Sequence, residues 1–200
     1  MGNQFTEIAF TPAVKARQTA HGSRASYAKF EAGPARNHRL GPDEIAFIEA
    51  RDGFYLASVS ETGWPYVQFR GGLPGFLRVI DESTIGWADF RGNRQYVSTG
   101  NLAGDDRVAL ILMDHANRRR LKLFGHAETL EVGSDDGLAD RLAIPADPSV
   151  IERAIRVHVA GFDWNCPQHI TPRFTAEEVE RAVTPLRERI AELEAKLASR

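Results

Sequence analysis

The chain has 200 residues, enough for one domain or one domain with appendages. Hydrophobic residues make up 42% and charged residues 26%, with a formal net charge of −2. This balance supports a sizeable core and argues against a general nucleic-acid binder, which carries a basic excess. The single cysteine, Cys166, excludes an intramolecular disulfide and a cysteine-rich zinc site. We interpret it as a small buried or half-buried residue rather than a nucleophile.

The N-terminal third predicts two helices. Thr11-Pro12 indicates an N-cap followed by proline at the first helical position, with a helix continuing to His21. Residues 23–41 are mixed in character and predict an irregular segment that wraps the surface. Pro42 opens a second predicted helix, which ends at Asp52-Gly53. The N-terminus shows no signal-peptide pattern, and no apolar run approaches the ~20 residues of a membrane span, so we expect a cytoplasmic protein.

From residue 54 the pattern changes to runs of strand-forming residues. The predicted strands cover residues 54–59, 64–70, 76–80, 84–88, 108–113, 121–132 and 151–162. Two further helices are predicted, one over 92–102 starting at Gly92-Asn93 and one over 134–143 with Ser134 as N-cap. Strands in series without regular strand–helix alternation favour an antiparallel barrel or sandwich.

The C-terminal segment has the clearest periodicity. Thr175-Ala176-Glu177-Glu178 fits a capping box and predicts a helix start. Six apolar residues follow at spacings of four, three, four, three and four, as in an a/d heptad seam: Val179, Val183, Leu186, Ile190, Leu193 and Leu197. Pro185 predicts a break at which a second helix begins. The seam fits a coiled coil and an amphipathic helix packed on its own domain about equally well.

No motif of a hydrolase, a Rossmann dinucleotide site or a P-loop is present. The six histidines lack close metal-ligand spacing, so we predict no metal site. His126 and His158 lie in alternating strands and could meet across a sheet, where we interpret them as hydrogen-bonded structural residues.

The residues with most chemistry lie between positions 64 and 95, where two predicted strands end at glycines beside arginines. The arginines and amides suit a phosphate and the mixed edge of a heterocycle: Arg70, Arg91, Asn93, Arg94 and Gln95. The same residues also fit an ordinary hairpin whose arginines are solvated. The residues alone therefore leave a small phosphorylated ligand and a decorated hairpin both open.

Three motifs in this region resemble the pyridoxamine 5′-phosphate oxidase-like flavoproteins: Gly63-Trp64-Pro65, Phe69-Arg70-Gly71-Gly72-Leu73-Pro74-Gly75-Phe76 and Asp89-Phe90-Arg91-Gly92-Asn93-Arg94. The later segment 163–173 also resembles a branch of that family. The resemblance implies a mainly β (α+β) fold, an antiparallel split β-barrel with peripheral helices and a C-terminal amphipathic helix. It also implies FMN bound at a homodimer interface. We expect an N-terminal helix and wrapping segment over 1–41, the FMN-binding barrel over 42–174 and the C-terminal helix over 175–200.

The resemblance further implies which residues contact FMN. Those along the edge of the ring, with backbone groups near its polar atoms, would be Gln68, Phe69, Arg70 and Gly71. Those at the ribityl phosphate would be Arg91, Asn93, Arg94 and Gln95, with Asp89 in the same motif. Those from the partner subunit would be Trp164, Gln168 and His169. Arg173 fits either that group or a surface salt bridge.

The sequence also departs from the authentic oxidase. The Arg-x-Val-Leu-Leu-Lys strand is replaced by Gln68-Phe69-Arg70-Gly71-Gly72, and the Arg-Lys pair of the phosphate loop by Arg94-Gln95. The oxidase's C-terminal Trp-x-x-x-Arg-Leu-x-Pro segment is absent. The resemblance therefore implies FMN but not pyridoxamine phosphate as substrate.

We accordingly predict an FMN-dependent oxidoreductase that acts on a small substrate or on a reduced nicotinamide, without a nucleic-acid or membrane partner. The alternative is a non-catalytic module that holds flavin or haem. Haem would need an axial ligand, with His126, His158 or His169 as candidates.

Overall fold

The computed structural model describes residues 2–134 and 137–199. Within that part of the chain, seven strands form one sheet: β1 Gly53–Val59, β2 Pro65–Gly71, β3 Arg78–Asp81, β4 Thr84–Phe90, β5 Arg107–Asp114, β6 Arg119–Glu131 and β7 Ile151–Trp164. The described residues also form seven helices: α1 Gln4–Ala9, α2 Pro12–Ala20, α3 Arg24–Glu31, α4 Pro42–Glu49, α5 Val97–Gly104, α6 Leu138–Leu142 and α7 Ala176–Ala198.

The strand order in the sheet is β2-β1-β5-β6-β7-β4-β3, so β2 and β3 are its two edges. Strand β1 pairs with β2, and β3 pairs with β4; both pairs are antiparallel. The sheet curves around a core without closing. This architecture confirms the predicted antiparallel split barrel with peripheral helices and a C-terminal helix.

Alternation along the strands decides which side chains form the core. In β1, Phe54 and Leu56 are buried while Tyr55 is exposed, and β5 buries Leu110 and Leu112 in the same way. Trp87 of β4 packs edge-on against Phe54, with ring centroids 5.0 Å apart. Burial of such large apolar side chains contributes about 1.5–3 kcal/mol each and fixes the strand register.

The chain divides into two compact units. The first comprises Met1–Met113 with Arg120–Cys166 and contains almost all of the sheet. The second comprises Asp114–Arg119 with Pro167–Arg200 and contains α7. The division into 1–41, 42–174 and 175–200 stays a prediction.

The predicted N-terminal segment is more helical than expected. Residues 23–41 contain α3, which has no buried residue and therefore no apolar stripe to recognise. Arg24 Nη2 and Glu31 Oε2, 2.5 Å apart, join the two ends of α3. Helix α1 was also not predicted; the Asn3 side chain caps it by accepting from the Thr6 backbone N–H.

Two other helix predictions are wrong in their bounds. The helix expected from Gly92 begins only at Val97, because residues 92–96 include left-handed backbone that no α-helix can contain. Pro185 does not break the C-terminal helix, which runs continuously from Ala176 to Ala198. A proline removes a single N–H donor, and the surrounding turns keep the helix intact.

Two smaller expectations also changed. Of the helix predicted over 134–143, the structure shows α6, Leu138–Leu142. Residues 135–136, near its predicted start, lie outside the described residues. Cys166 is exposed rather than buried, because it follows the end of β7.

Candidate functional site

A cavity of about 250 Å³ lies where β2, β4, the loop after β4 and the start of α5 converge. Seven of the twelve predicted cofactor residues line it: Gln68, Arg70, Asp89, Arg91, Asn93, Arg94 and Gln95. Arg153 of β7 also lines it, so the cavity contains four arginines and three side-chain amides. The lining therefore offers many hydrogen-bond donors and a local positive charge.

Strand β2 supplies one wall through every second residue. Tyr66, Gln68 and Arg70 lie on the half-buried face of β2 and line the cavity. The Gln68 Oε1 accepts a hydrogen bond from the Ser98 hydroxyl at 2.8 Å, which links β2 to the first turn of α5. Asn101 holds α5 in turn by donating to the Ser58 hydroxyl at 3.0 Å. The Gln68 amide is therefore fixed in orientation by α5.

A buried carboxylate anchors two of the arginines. Asp89 accepts from Arg70 Nη1 at 2.7 Å through Oδ1 and from Arg153 Nη1 at 3.0 Å through Oδ2. Asp89 and Arg153 are opposite each other in the β4–β7 register. The Arg70 Nε is buried and has no hydrogen-bond partner among the described residues. Asp89 thus orients both guanidinium groups while leaving one buried donor of Arg70 unsatisfied.

Glu152 organises the outer rim of the cavity. It accepts from Arg91 Nε at 3.2 Å, from the Tyr96 hydroxyl at 3.2 Å and from Arg153 Nη2 at 2.9 Å. The Tyr96 hydroxyl accepts in turn from Arg94 Nε at 3.2 Å. Desolvation alone would raise the pKa of Glu152, but the bonds from Arg91 and Tyr96 and the charge of Arg153 outweigh it and lower the pKa below its ordinary 4.5.

The loop between β4 and α5 has an unusual backbone. Gly92, Arg94 and Tyr96 all lie in the left-handed region, with φ of 48°, 58° and 55°. Left-handed conformations at non-glycine residues cost about 1–3 kcal/mol and cluster at binding sites. Turns of this kind direct successive backbone N–H groups inward and form concave anion sites. The loop precedes the N-terminus of α5, which also favours negative charge.

Two residues of the predicted ring edge, Phe69 and Gly71, do not line the cavity. The Phe69 side chain is on the opposite, outward face of β2, where it packs edge-on against Tyr55 at 5.4 Å between ring centroids. Its ring covers Gly53 and Gly71, and a Cβ on Gly71 would lie 2.7 Å from it. The glycine at position 71 therefore makes room for Phe69 itself, and the cavity lining includes neither residue.

The three residues predicted to come from a partner subunit do not line the cavity within the chain. The Trp164 indole donates to Glu44 Oε1 at 2.6 Å and packs edge-on against Phe47 of α4. Gln168 and His169 are exposed residues of the second unit, and His169 has a left-handed φ of 62°.

The predicted meeting of His126 and His158 is confirmed, since the two residues are paired in the β6–β7 register. Each has a partner of its own. His126 Nδ1 lies 2.9 Å from Asp106, and His158 Nδ1 lies 3.3 Å from the Thr84 hydroxyl. Among the described residues, no group of three or more His, Cys, Asp or Glu side chains could hold a metal ion.

The cavity residues missed from the sequence are Tyr66, Tyr96, Val97, Ser98, Thr99 and Arg153. Arg153 lies opposite Asp89 only in the β4–β7 register, and β4 is buried on both faces, so no alternation in its sequence indicated that register. The role of Tyr96 and Ser98 depends on where α5 begins, which no sequence signal indicated.

Among the described residues, no helix combines the length and apolar composition needed to cross a bilayer.

Comparison with known families gives one clear match. A family model described as pyridoxamine 5′-phosphate oxidase matches residues 42–156, more than half of the chain. The matched range contains β1 to β6, the start of β7 and the whole cavity lining. A search of curated proteins found no match.

Solved structures with a similar fold include HupZ of Group A Streptococcus, which is 15% identical at a TM-score of 0.52 over 68% of this chain and all of that chain (100%). A pyridoxamine 5′-phosphate oxidase homologue of Lactobacillus delbrueckii is 19% identical at a TM-score of 0.48, over 63% of this chain and 94% of that one. An FMN-binding protein of Syntrophomonas wolfei is 11% identical at a TM-score of 0.46, over 74% of this chain and 97% of that one. At such identities, the likeness to HupZ concerns the fold alone.

Proposed function

Because the chain belongs to the pyridoxamine 5′-phosphate oxidase family, we propose that it is an FMN-binding oxidoreductase that works as a homodimer. The observation that carries this proposal is the cavity beside β2, with four arginines and three amides around about 250 Å³. FMN offers a phosphate dianion and a ring edge with both donors and acceptors, which are the groups that guanidinium and amide side chains bind.

The residues present fit such a ligand in chemistry and in number of donors. The buried Arg70 Nε has no partner within the described residues, and leaving a buried donor unsatisfied costs about 1–3 kcal/mol. A polar ring edge beside Arg70 would satisfy it. The Gln68 Oε1 is occupied by Ser98, so its amide N–H groups remain as donors to the same edge.

We assign the phosphate to the loop after β4. Arg91 and Arg94 are the cavity arginines that Asp89 does not hold, and both are exposed at its mouth. The left-handed residues of this loop favour inward N–H groups, as phosphate-binding loops do. Asn93 and Gln95 belong to the same group. Phe69 and Gly71 would contribute only through their backbone, since β2 is an edge strand with unpaired backbone groups.

The homodimer is supported by the outer apolar face of the sheet. We use this name for the contiguous residues Tyr55, Ala57, Val67, Phe69, Ala109 and Ile111, which are brought side by side by the β1–β2 and β1–β5 registers. Tyr55, Val67 and Phe69 are each about half exposed or more. Contiguous exposed apolar surface of this kind marks protein interfaces. We propose that a second copy covers it.

A second copy would also complete the ligand site. The cavity volume of about 250 Å³ is smaller than that of typical small-molecule sites, which is about 300–1,000 Å³. We retain Trp164, Gln168 and His169 as the residues that a second subunit supplies. The cytoplasmic location remains a prediction.

When bound, FMN supplies the redox chemistry, taking electrons from a reduced nicotinamide or a small substrate. The protein's residues have other tasks. Asp89 holds Arg70 and Arg153 in fixed positions, Ser98 fixes the Gln68 amide, and Glu152 positions Arg91. None of them needs to act as a nucleophile, in keeping with a site made of arginines and amides.

The test is the optical spectrum of the purified chain, before and after addition of FMN, followed by anaerobic addition of NADH and NADPH. The proposal predicts a bound flavin spectrum that bleaches with one of the two donors. A protein that stays colourless with added FMN contradicts FMN binding. Bound FMN that neither nicotinamide reduces contradicts nicotinamide as donor, and a Soret band with added hemin would favour a haem-binding module.

A further inference from the structure

Helix α7 presents an apolar seam that the chain leaves uncovered. None of its 23 residues is buried, and five of the six seam residues are 44–70% exposed: Val179, Leu186, Ile190, Leu193 and Leu197. Helices in water gain most of their stability by packing an apolar face against another surface. A long helix whose apolar face is exposed therefore needs a packing partner.

The seam has the composition of a two-stranded coil. Its spacing assigns Val183, Ile190 and Leu197 to heptad position a, and assigns Val179, Leu186 and Leu193 to position d. β-Branched residues at a combined with leucine at d favour parallel dimers over larger assemblies. Val183 and Ile190 meet the first condition, and Leu186 and Leu193 meet the second. With 23 residues the helix is about 35 Å long, room for three layers of each kind.

We propose that α7 pairs with α7 of a second copy of this chain as a parallel, in-register, two-stranded coiled coil. The flanking charges support the parallel direction. Arg189 occupies position g and Glu194 the following position e, and in a parallel pair these two positions of opposite chains are adjacent. The symmetric dimer therefore forms the Arg189–Glu194 pair twice. Glu194 has no ionic partner among the described residues of its own chain, so its carboxylate is available.

The antiparallel alternative is disfavoured by the same charges. Aligning the six seam residues in the antiparallel direction places Arg187 opposite Arg187 and Arg189 opposite Arg189 of the second helix. It also places Glu180 opposite Glu194. All three pairings bring like charges together, which is destabilising. Pro185 occupies position c, on the outside of either arrangement, and does not enter the seam.

This inference is independent of the proposed function. It requires no ligand and concerns helix α7 of the second unit, whereas the cavity lining and the outer apolar face belong to the first. Loss of flavin binding would leave it intact, and loss of coiled-coil pairing would leave the FMN proposal intact.

The first test compares Ile190→Lys with Ala195→Lys in the full-length chain by sedimentation equilibrium. Ile190 is in the seam, whereas Ala195 is at the outward position f, so the same charge is introduced on opposite faces of one helix. We expect the dissociation constant for self-association to rise at least tenfold for Ile190→Lys and to stay within twofold for Ala195→Lys. Equal constants for the two variants would overturn the proposal. So would a loss of stability in Ile190→Lys at unchanged self-association, which would indicate packing within one chain.

The second test fixes the direction and does not depend on the charge variants. In a Cys166→Ser background, Leu197→Cys places one thiol at the last a position. A parallel coil brings the two thiols together, so mild oxidation should convert most of the protein to a disulfide-linked dimer. In an antiparallel coil Leu197 faces Val179. Crosslinking only in a mixture of the Leu197→Cys and Val179→Cys chains would overturn the parallel arrangement, and no crosslinking in either sample would overturn the coil.

Discussion

Strand β2 has polar residues on its inner face and apolar residues on its outer face, which is the reverse of the ordinary pattern. Antiparallel sheets of soluble proteins usually turn apolar residues inward and polar residues to water. In β2 the inward residues are Tyr66, Gln68 and Arg70, which line the cavity, while Val67 and Phe69 face outward and are exposed. Its neighbour β1 is ordinary on its inner side, with Phe54 and Leu56 fully buried.

Each face of β2 needs something that the single chain does not supply. The inner face holds donors without acceptors, such as the Arg70 Nε. The outer face holds apolar area that only another surface can remove from water. A ligand on the inner face would satisfy the free donors, and a second subunit on the outer face would cover the apolar area.

The largest effect should come from the buried charges behind the inner face. Asp89→Asn leaves Arg70 and Arg153 without their shared carboxylate, and removing one partner of a buried ion pair costs about 3–5 kcal/mol. We expect the urea unfolding midpoint to fall accordingly. Glu82→Gln is the matched control, since it breaks a pair with Arg39 that is exposed on both sides and should leave the midpoint nearly unchanged. Equal midpoints for the two variants would contradict the structural role of Asp89.

A smaller effect is expected from a charge on the outer face. Val67→Asp places a carboxylate in the outer apolar face and should weaken dimerisation through the sheet by about 2 kcal/mol, or roughly thirtyfold in Kd. Because Val67 is 61% exposed in the chain, the unfolding free energy of the monomer should change little. Val132→Asp puts the same charge on another exposed valine and serves as the control. Sedimentation that cannot distinguish the two variants would place the interface elsewhere.

The smallest effect should come from the rim of the inner face. The pKa of Glu152 is lowered in the folded chain, so its ionised form stabilises the fold above its ordinary pKa of 4.5, and this contribution disappears as pH falls through the lowered value. Glu152→Gln should therefore be slightly less stable than the parent at pH 7, and the difference should shrink on acidification to pH 3. A difference that grows on acidification would contradict the assigned direction of the pKa shift.

Much of the fold was predictable because its signals are local. The strand predictions lie on β1 to β7 with small shifts at their ends, since strand formers and turn residues alternate along this chain. The capping box at Thr175 is also present as predicted, with the hydroxyl accepting from the Glu178 N–H at 3.1 Å. Helix α3 escaped prediction because it buries nothing and thus has no periodic pattern.

The candidate site was predictable in part, for a different reason. Arg70, Arg91 and Arg94 stand out because they flank glycines at strand ends. The contribution of Arg153 arises only when β4 pairs with β7, a contact between positions 64 residues apart. The loop conformation at Gly92, Arg94 and Tyr96 is set by the packing of its ends, and two of these residues have no intrinsic preference for left-handed backbone. Local sequence patterns therefore could not predict the long-range strand pairing or the strained loop backbone.

We propose that the inner face of β2 binds the flavin ring and that the loop after β4 binds the phosphate. The most direct measurement is the affinity of the flavin-free chain and of Arg94→Ala for FMN and for riboflavin, which lacks the phosphate, with Arg181→Ala as an exposed control on α7. We predict that Arg94→Ala weakens FMN binding by about 1.5–3 kcal/mol, the value of a hydrogen bond to a charged group, and leaves riboflavin binding unchanged. Unchanged FMN affinity, or an equal loss for both ligands, would contradict the claim.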